Sequence, residues 1–497
     1  MNNKTPPLSA PPTMAAPGER SDPPPAEAAL REAVGRMARA SLMVAGDTLL
    51  DRTMLGTVRR ISPEAPVPLL DIRRESAAPA GAGGVARHLS ALGAAAALVA
   101  PVGEDAAGRE LTAQVGALPG IEPWLLADSE RRTVEKIRFI ADVGPYGTPL
   151  LRADRNEARP LAGHEAARLV RIAIEAMAAA SVVVLADHRR GTLAGNVAPR
   201  LIAAARARQR PVVADLRGHD YARFAGADVV LTTRRQIAHT LPAPAAAIDT
   251  PIDEPTYAAT AETLRRTHNF GAVLVTDSEA GITLVRAGGW QHYPVDAPEA
   301  PEITGAADAV TAVLAAALAV GVDLPGATRL ANIAAGIMLR RSADSVVRGA
   351  DLVAALSPQA HARRKVVAAA SLAERGERWH RQGLRLGLAL GCFDPLQPAE
   401  RTLLAHARAG CDRLAVLVFD DATARRRLGP EHPVEPEAVR AERVAELDAV
   451  GRVVIAASQD VPAILALLRP ALLAGLTPDH DADLLHGFSG ELLAAES

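Results

Sequence analysis

Short apolar runs, rich in β-branched residues and each stopped by a small or acidic residue, recur along this chain and are separated by helical stretches. Leu42-Met43-Val44-Ala45 stops at Gly46-Asp47, and the run from Ser181 to Ala186 stops at Asp187. Pro211-Val212-Val213-Ala214 stops at Asp215, and Ala272-Val273-Leu274-Val275 at Thr276-Asp277. Runs this short suit strands buried on both faces. The helical stretches between them imply right-handed βαβ crossovers and a mainly parallel sheet. Polar residues just past the strand ends fall where open α/β sheets bind ligands. Asp and Gly also punctuate turns. At any single position both readings stand, and it is the series that points to a ligand site.

Composition narrows what such a sheet serves. The 55 basic and 57 acidic side chains leave a net charge of −2, which gives no general field for nucleic acid or an anionic membrane surface. Two cysteines, Cys392 and Cys411, are too few for a disulfide scaffold or a Cys-rich zinc site and suggest a reducing cytoplasm. No apolar run reaches the roughly 18 residues of a membrane span. The stretches Ala91 to Val102, Met177 to Ala186 and Ala312 to Val320 read as core elements. The N-terminus lacks the pattern of a secretory signal. Lysine occurs only at Lys4, Lys136 and Lys365; none follows a glycine-rich loop, which excludes a Walker-type phosphate loop.

A length of 497 residues suggests about three domains, or two larger ones. Residues 1–28, rich in Pro, Ala and Ser, read as a disordered tail. Residues 29–358 form the first α/β domain, 359–382 a helical linker and 383–497 a second, smaller α/β domain. Strands in the second are expected at Leu386–Leu390, Arg413–Val418, Arg452–Ala456 and Ala471–Leu476, with a helical stretch from Pro436 to Val450.

The sharpest local signal is Ile303-Thr304-Gly305-Ala306-Ala307-Asp308, opening an apolar helical run. Small residues at a helix start let backbone N–H groups approach an anion. A first-turn Asp308 there can accept a proton from a hydroxyl, with the helix dipole expected to hold its pKa low. Capping of the helix by Thr304 accounts for the same pattern.

The strings Gly46-Asp47-Thr48-Leu49-Leu50-Asp51-Arg52, Arg60-Ile61-Ser62-Pro63-Glu64-Ala65-Pro66-Val67-Pro68 and Thr304-Gly305-Ala306-Ala307-Asp308 occur in that order. Together they resemble the ribokinase-like sugar kinases and, more narrowly, the bifunctional heptose 7-phosphate kinase/heptose 1-phosphate adenylyltransferases of lipopolysaccharide-core synthesis. The resemblance implies a ribokinase-like parallel-sheet domain with a small β lid, contributed by Arg52 to Asp71 and Glu135 to Ala141. A Rossmann-like, nucleotidyltransferase-type domain follows it. The resemblance makes Asp308 the catalytic base for the anomeric hydroxyl, and the amides of Gly305, Ala306 and Ala307 its anion hole. Asp51, Gly83 and Gly84 fall on the sugar side. Thr276, Ser278, Gly281 and Asn332 fall around the nucleotide. ATP and Mg2+ are the implied cofactors, a sugar phosphate the partner, and a homodimer through the lid the implied assembly.

The chain departs from the family's pattern at ligand positions. The sugar-binding Asn is Gly84, and the last Gly of the anion hole is Ala307. Arg234 and Ile237 stand in the Asn-x-x-Glu element, and Arg190 and Arg217 replace lysines, leaving Arg190, Arg217 and Arg234 as candidate phosphate contacts. In the second domain Gly391-Cys392-Phe393-Asp394 resembles the opening of the nucleotidyltransferases, but Gln397 and Glu400 stand where two phosphate-binding histidines belong. Glu400 would then oppose a polyphosphate. Arg425, Arg426 and Arg427 suit either phosphate binding or a solvated helix face. Two functional readings follow: a sugar kinase whose adenylyltransferase half is inactive, or a non-catalytic scaffold built from both domains.

Overall fold

In a computed structural model the chain divides into two compact units, residues 1–353 and 354–497. The structure describes residues 27–143, 147–155, 158–240, 254–277, 280–295, 305–341, 344–357, 362–363, 365–381, 383–476, 481, 483–485, 488 and 490–493. The expected tail lies outside these, except at its last two positions, where a helix begins at Glu27.

The first unit is built on a nine-stranded sheet. Its strands are β1 (Ser41–Gly46), β4 (Ala95–Gly103), β5 (Ile121–Asp128), β8 (Val182–Asp187), β9 (Val212–Leu216), β10 (Val229–Thr233), β11 (Ala272–Asp277), β12 (Gly281–Arg286) and β13 (Gly289–Pro294). Their order is β13-β12-β11-β10-β9-β8-β1-β4-β5. From β11 to β5 every pairing is parallel, as the sequence implies; β12 and β13 add an antiparallel hairpin that its pattern did not reveal. All six residues of β8 are buried, which is why the run is apolar without alternation. From β1 the chain proceeds to β4 on one side and later returns to β8 on the other. That reversal opens a crevice beyond the C-terminal ends of β1 and β8.

A second sheet of four strands rises from this crevice, in the order β3-β2-β6-β7. It comprises β2 (Thr48–Ile61), β3 (Pro68–Gly81), β6 (Glu135–Ala141) and β7 (Thr148–Arg155). This is the expected lid. β2 starts one residue after Asp47, and β3 ends at Gly81, where a helix (Ala82–Ala91) begins. The lid therefore delivers its cross-strand residues directly to the crevice.

The second unit holds a five-stranded parallel sheet, β16-β15-β14-β17-β18. Its strands are β14 (Leu386–Gly391), β15 (Arg413–Phe419), β16 (Arg452–Ala456), β17 (Leu472–Ala474) and β18 (Glu491–Leu493). Helices Pro398–Ala409 and Glu437–Ala445 flank it. Of the expected linker, Ala369–Arg381 is helical, and its Leu372 is buried in this unit's core beside Leu386 and Leu388. Val366 forms a parallel bridge to Val453.

Candidate active site

Asp308 lies in the first turn of the helix Ala306–Ala319 and is 6% exposed. The N-cap is Gly305, at φ 99°, with no side-chain capping bond; Thr304 lies outside the described residues. That backbone suits glycine, which itself offers no side-chain cap to the first-turn amides, including those of the half-buried Ala306 and Ala307. Gly81 N donates to Asp308 Oδ2 at 3.0 Å. A Cβ added to Gly84 would fall 2.0 Å from the same oxygen. Glycine at 84 thus removes a side-chain donor and makes the room Asp308 occupies. Gly83 is equally tight, with Thr48 Oγ1 2.5 Å from such a Cβ.

The expectation that the dipole keeps Asp308 acidic is corrected. Its pKa is raised to about 6, by burial first and then by the charge of Asp215, against the pull of Arg217, Lys136 and the Gly81 amide. Desolvation disfavours the charged carboxylate more than one helix terminus favours it. A narrow cavity lined by Asp51, Thr53, Ser76, Arg87, Gly305 and Asp308, among others, joins the helix start to the lid. Asp51 sits within β2, a lid strand and not a loop, and is ion-paired with Arg138. Burial raises its pKa, with Arg138 opposing.

The floor of the crevice rests on Asp47, for which the sequence suggested no role. Its carboxylate accepts hydrogen bonds from the amides of His188 (2.9 Å), Arg190 (2.8 Å) and Thr192 (3.0 Å), tying the end of β1 to the turn after β8. Asp215, near the end of β9, is buried and pairs with Arg217 at 3.3 Å. His188, Asp215 and Asp308 each present a ligand atom within 4.8 Å of the others. His188 Nε2 and Arg190 Nε are buried without hydrogen-bond partners. Burial first, and then the charges of Arg217, Lys136 and Arg190, hold the His188 imidazole neutral. A crevice ringed by these cations favours an anion over a metal ion.

The remaining candidates are spread along the sheet. Thr276, on β11, donates to Thr232 O at 3.2 Å. Ser278 lies outside the described residues. Gly281 opens β12 at φ 111°, and a Cβ there would meet Tyr293 O at 2.1 Å. Asn332 donates to Pro294 O at 2.9 Å while its Oδ1 is buried without a partner. Arg234 is ion-paired with Glu254 and, at 3.2 Å, with Asp277, and lies over the Tyr257 ring. Its charge is already compensated by two carboxylates. Ile237 is fully buried in the core, so neither residue at the Asn-x-x-Glu positions fits a magnesium hydration shell.

In the second unit several polar residues beyond β14 pair with one another, although Glu435 Oε2 is buried without a hydrogen bond. Asp394 accepts from His432 Nδ1 (2.8 Å), Val434 N (2.6 Å) and Glu435 N (2.9 Å). Glu400 accepts from Gln397 N at 2.7 Å, closing the start of the helix Pro398–Ala409. Glu400 thus takes part in a helix cap. Arg427 pairs with Asp481 at 2.6 Å and covers Phe419, and Arg426 bonds Thr423 at 2.8 Å.

Residues 40–346 match the pfkB family of carbohydrate kinases. The chain is 45% identical over 470 residues to the bifunctional protein HldE of Acidiphilium cryptum, covering 93% of this chain and 94% of that one. It is 40% identical over 476 residues to the bifunctional protein HldE of Paramagnetospirillum magneticum, covering 94% and 96%. Among solved structures, phosphofructokinase-2 from Escherichia coli aligns at 16% identity with a TM-score of 0.50, over 64% of this chain and 98% of that one. That likeness concerns the fold alone.

Proposed function

Because the chain belongs to the pfkB carbohydrate kinases, and within them to the HldE-like bifunctional proteins, we propose that its first unit phosphorylates the anomeric hydroxyl of a heptose 7-phosphate. The chain is a phosphotransferase acting on a sugar hydroxyl; the acceptor, the roles of the residues and the state of the second unit are our reading. The observation that carries it is Asp308, buried in the first turn of a helix that starts at Gly305, on the cavity that Asp51 also lines. Phosphoryl transfer needs positioning, charge neutralisation and a base more than covalent chemistry. Asp308 takes the proton of the acceptor hydroxyl, and a pKa near neutrality suits that task. The amides of Gly305 to Asp308 receive the transferring phosphoryl group. Arg190 and Arg217, after β8 and β9, supply positive charge, with Asp47 fixing the backbone of Arg190. Asp51 orients the sugar. Thr276, Ser278, Gly281 and Asn332 border the nucleotide.

ATP is the phosphoryl donor in this reading, and the first-turn amides beside Gly305 suit its phosphates. Magnesium would be held by those phosphates, since Arg234 and Ile237 offer it nothing. The second unit is inactive in adenylyl transfer, a reading supported by Gln397 and Glu400 serving as a helix start. A homodimer through the lid is supported by exposed Ile61, Val67, Ile72 and Leu151 on or beside its strands. The free thiols of Cys392 and Cys411 accord with the cytoplasm. Family membership favours this enzyme reading over a scaffold. Incubating the whole chain with ATP, magnesium and heptose 7-phosphate should yield ADP and heptose 1,7-bisphosphate. Heptose 1-phosphate with ATP should release no pyrophosphate. Ligand binding without turnover would restore the scaffold reading.

A further inference from the structure

Arg131 is 6% exposed, and the reading above gives it no task. It lies in the connection from β5, which ends at Asp128, to the lid strand β6, which begins at Glu135. Its guanidinium spans two backbone carbonyls, donating from Nη1 to Arg190 O at 3.1 Å and from Nη2 to Arg159 O at 2.5 Å. Asp128 Oδ2 stands 3.5 Å from its Nε and compensates the buried charge. The connection is held further along as well. Thr133 N donates to Asp105 Oδ2 (2.9 Å), Thr133 Oγ1 accepts from Gly103 N (3.0 Å), and Val134 O accepts from Leu50 N (2.9 Å). Arg131 therefore reaches out from a fixed segment.

The turn it reaches is held from several sides. Asp47 accepts from the amides of His188, Arg190 and Thr192. Gly191, at φ 96°, lies so close to Arg159 that a Cβ there would fall 2.2 Å from Arg159 O. With Arg131 on its carbonyl, the Arg190 backbone is gripped at both its N–H and its C=O. Its side chain is treated in the opposite way. Arg190 Nε is buried without a hydrogen bond, and among the described residues no carboxylate oxygen lies within 4.0 Å of the guanidinium. Arg234, by contrast, is paired with two carboxylates.

We propose that Arg131 is a positioning residue: through the Arg190 carbonyl it sets where the Arg190 guanidinium meets the transferring phosphoryl group. This rests on the kinase reading for the identity of the anion. A cation whose backbone is fixed beforehand stabilises transition-state charge without reorganising. Displacing such a group by roughly 1 Å can cost on the order of 100-fold in rate. The planar fork of an arginine suits two carbonyls at once better than the point charge of a lysine does.

A double-mutant cycle on the full chain, with ATP, magnesium and heptose 7-phosphate, reads this coupling. Arg131→Met should lower kcat by about 10- to 100-fold and leave the KM for heptose 7-phosphate within about twofold. Arg190→Met should lower kcat at least as far. In the double variant kcat should match that of Arg190→Met within about twofold, because Arg131 then has no guanidinium to place. Multiplied losses, as independent sites give, would overturn the proposal. So would an unchanged kcat in either single variant, or a loss carried by the acceptor's KM. Arg131→Lys should recover part of kcat, and the same cycle is run with it where the methionine variant does not fold. A wild type without turnover would overturn the kinase reading alone, and the positioning is then read by hydrogen exchange. The amides of His188, Arg190 and Thr192 should exchange about tenfold faster in Arg131→Met, and unchanged exchange overturns the proposal.

Discussion

The loops beyond the strand ends of the two units are built from similar residue types and treat charge in opposite ways. Beyond β1, β8 and β9, burial raises the carboxylates of Asp308, Asp187 and Asp215 above their ordinary range, and His188 Nε2 and Arg190 Nε are buried without hydrogen bonds. Beyond β14 and β15, Asp394 is held by two amides and an imidazole, Glu400 caps a helix, and the fully buried Arg440 bonds Glu435 O, Cys392 O and Asp421. Polar groups left short of partners are a cost that folding alone does not explain, and they gather where a ligand completes them. Polar groups that complete one another have become part of the scaffold. The difference is that, among the described residues, more of the polar groups beyond the first unit's strands lack partners than of those beyond the second's.

The largest effect that can break this contrast is loss of the proposed base. Asp308→Asn should lower turnover by roughly 100-fold or more, and unchanged turnover would remove Asp308 from its role. The pH dependence sharpens the test. Wild-type turnover should fall as pH drops through about 6, where Asp308 takes up its proton. Its folded pKa is raised, so stability is fully present below the unfolded value of 3.8, declines as pH rises, and is lost above about 6. The asparagine variant escapes that penalty. At pH 8 it should be more stable than wild type, by at most about 3 kcal/mol, read from urea unfolding at pH 4 and pH 8.

What the sequence disclosed follows the same division. Its strands were legible as runs because β1, β8, β9, β11 and β14 to β16 are buried on both faces. β12 and β13 escaped because a hairpin at a sheet edge breaks the βα rhythm. Thr304-Gly305-Ala306-Ala307-Asp308 was legible as a helix start, but the direction of the Asp308 shift was not, since burial and Asp215 come from distant strands. Asp47 was quoted in a motif without a role because three amides 141 to 145 residues away define it. The capping bond of Glu400 was not legible, because it is visible only once the helix start is known.

A smaller effect should appear in the second unit. Asp394→Ala leaves the amides of Val434 and Glu435 and the His432 ring without their acceptor. It should destabilise that unit by about 3 kcal/mol while the first unit's turnover stays within about twofold. Burial opposes ionisation of Asp394, but the His432 bond and the two amides lower its pKa overall. Its contribution is therefore present above the ordinary carboxylate value of 3.8 and is lost as pH falls through the lower folded one. Hydrogen exchange, read separately for the two units, checks both statements. Equal loosening of the first unit would mean that the division of labour is false.

The smallest effect tests the proposal that the second unit does not transfer adenylyl groups. Glu400 is a first-turn carboxylate that accepts from Gln397 N, and burial raises its pKa against that bond. If the residue is a cap, Glu400→Ala costs about 1 kcal/mol. The loss shows as faster exchange of the amides at the start of Pro398–Ala409, with no new ligand bound. Glu400→Gln should retain most of the stability, because an amide oxygen still accepts the bond. If Glu400 were instead a charge that merely repels polyphosphate from an otherwise competent site, removing it would create ATP binding in the second unit beside that of the first. The Gln397 and Asp394 networks argue against such a latent site, because they satisfy their donors within the protein. A second ATP equivalent in Glu400→Ala, counted by calorimetry, would make the two units alike after all.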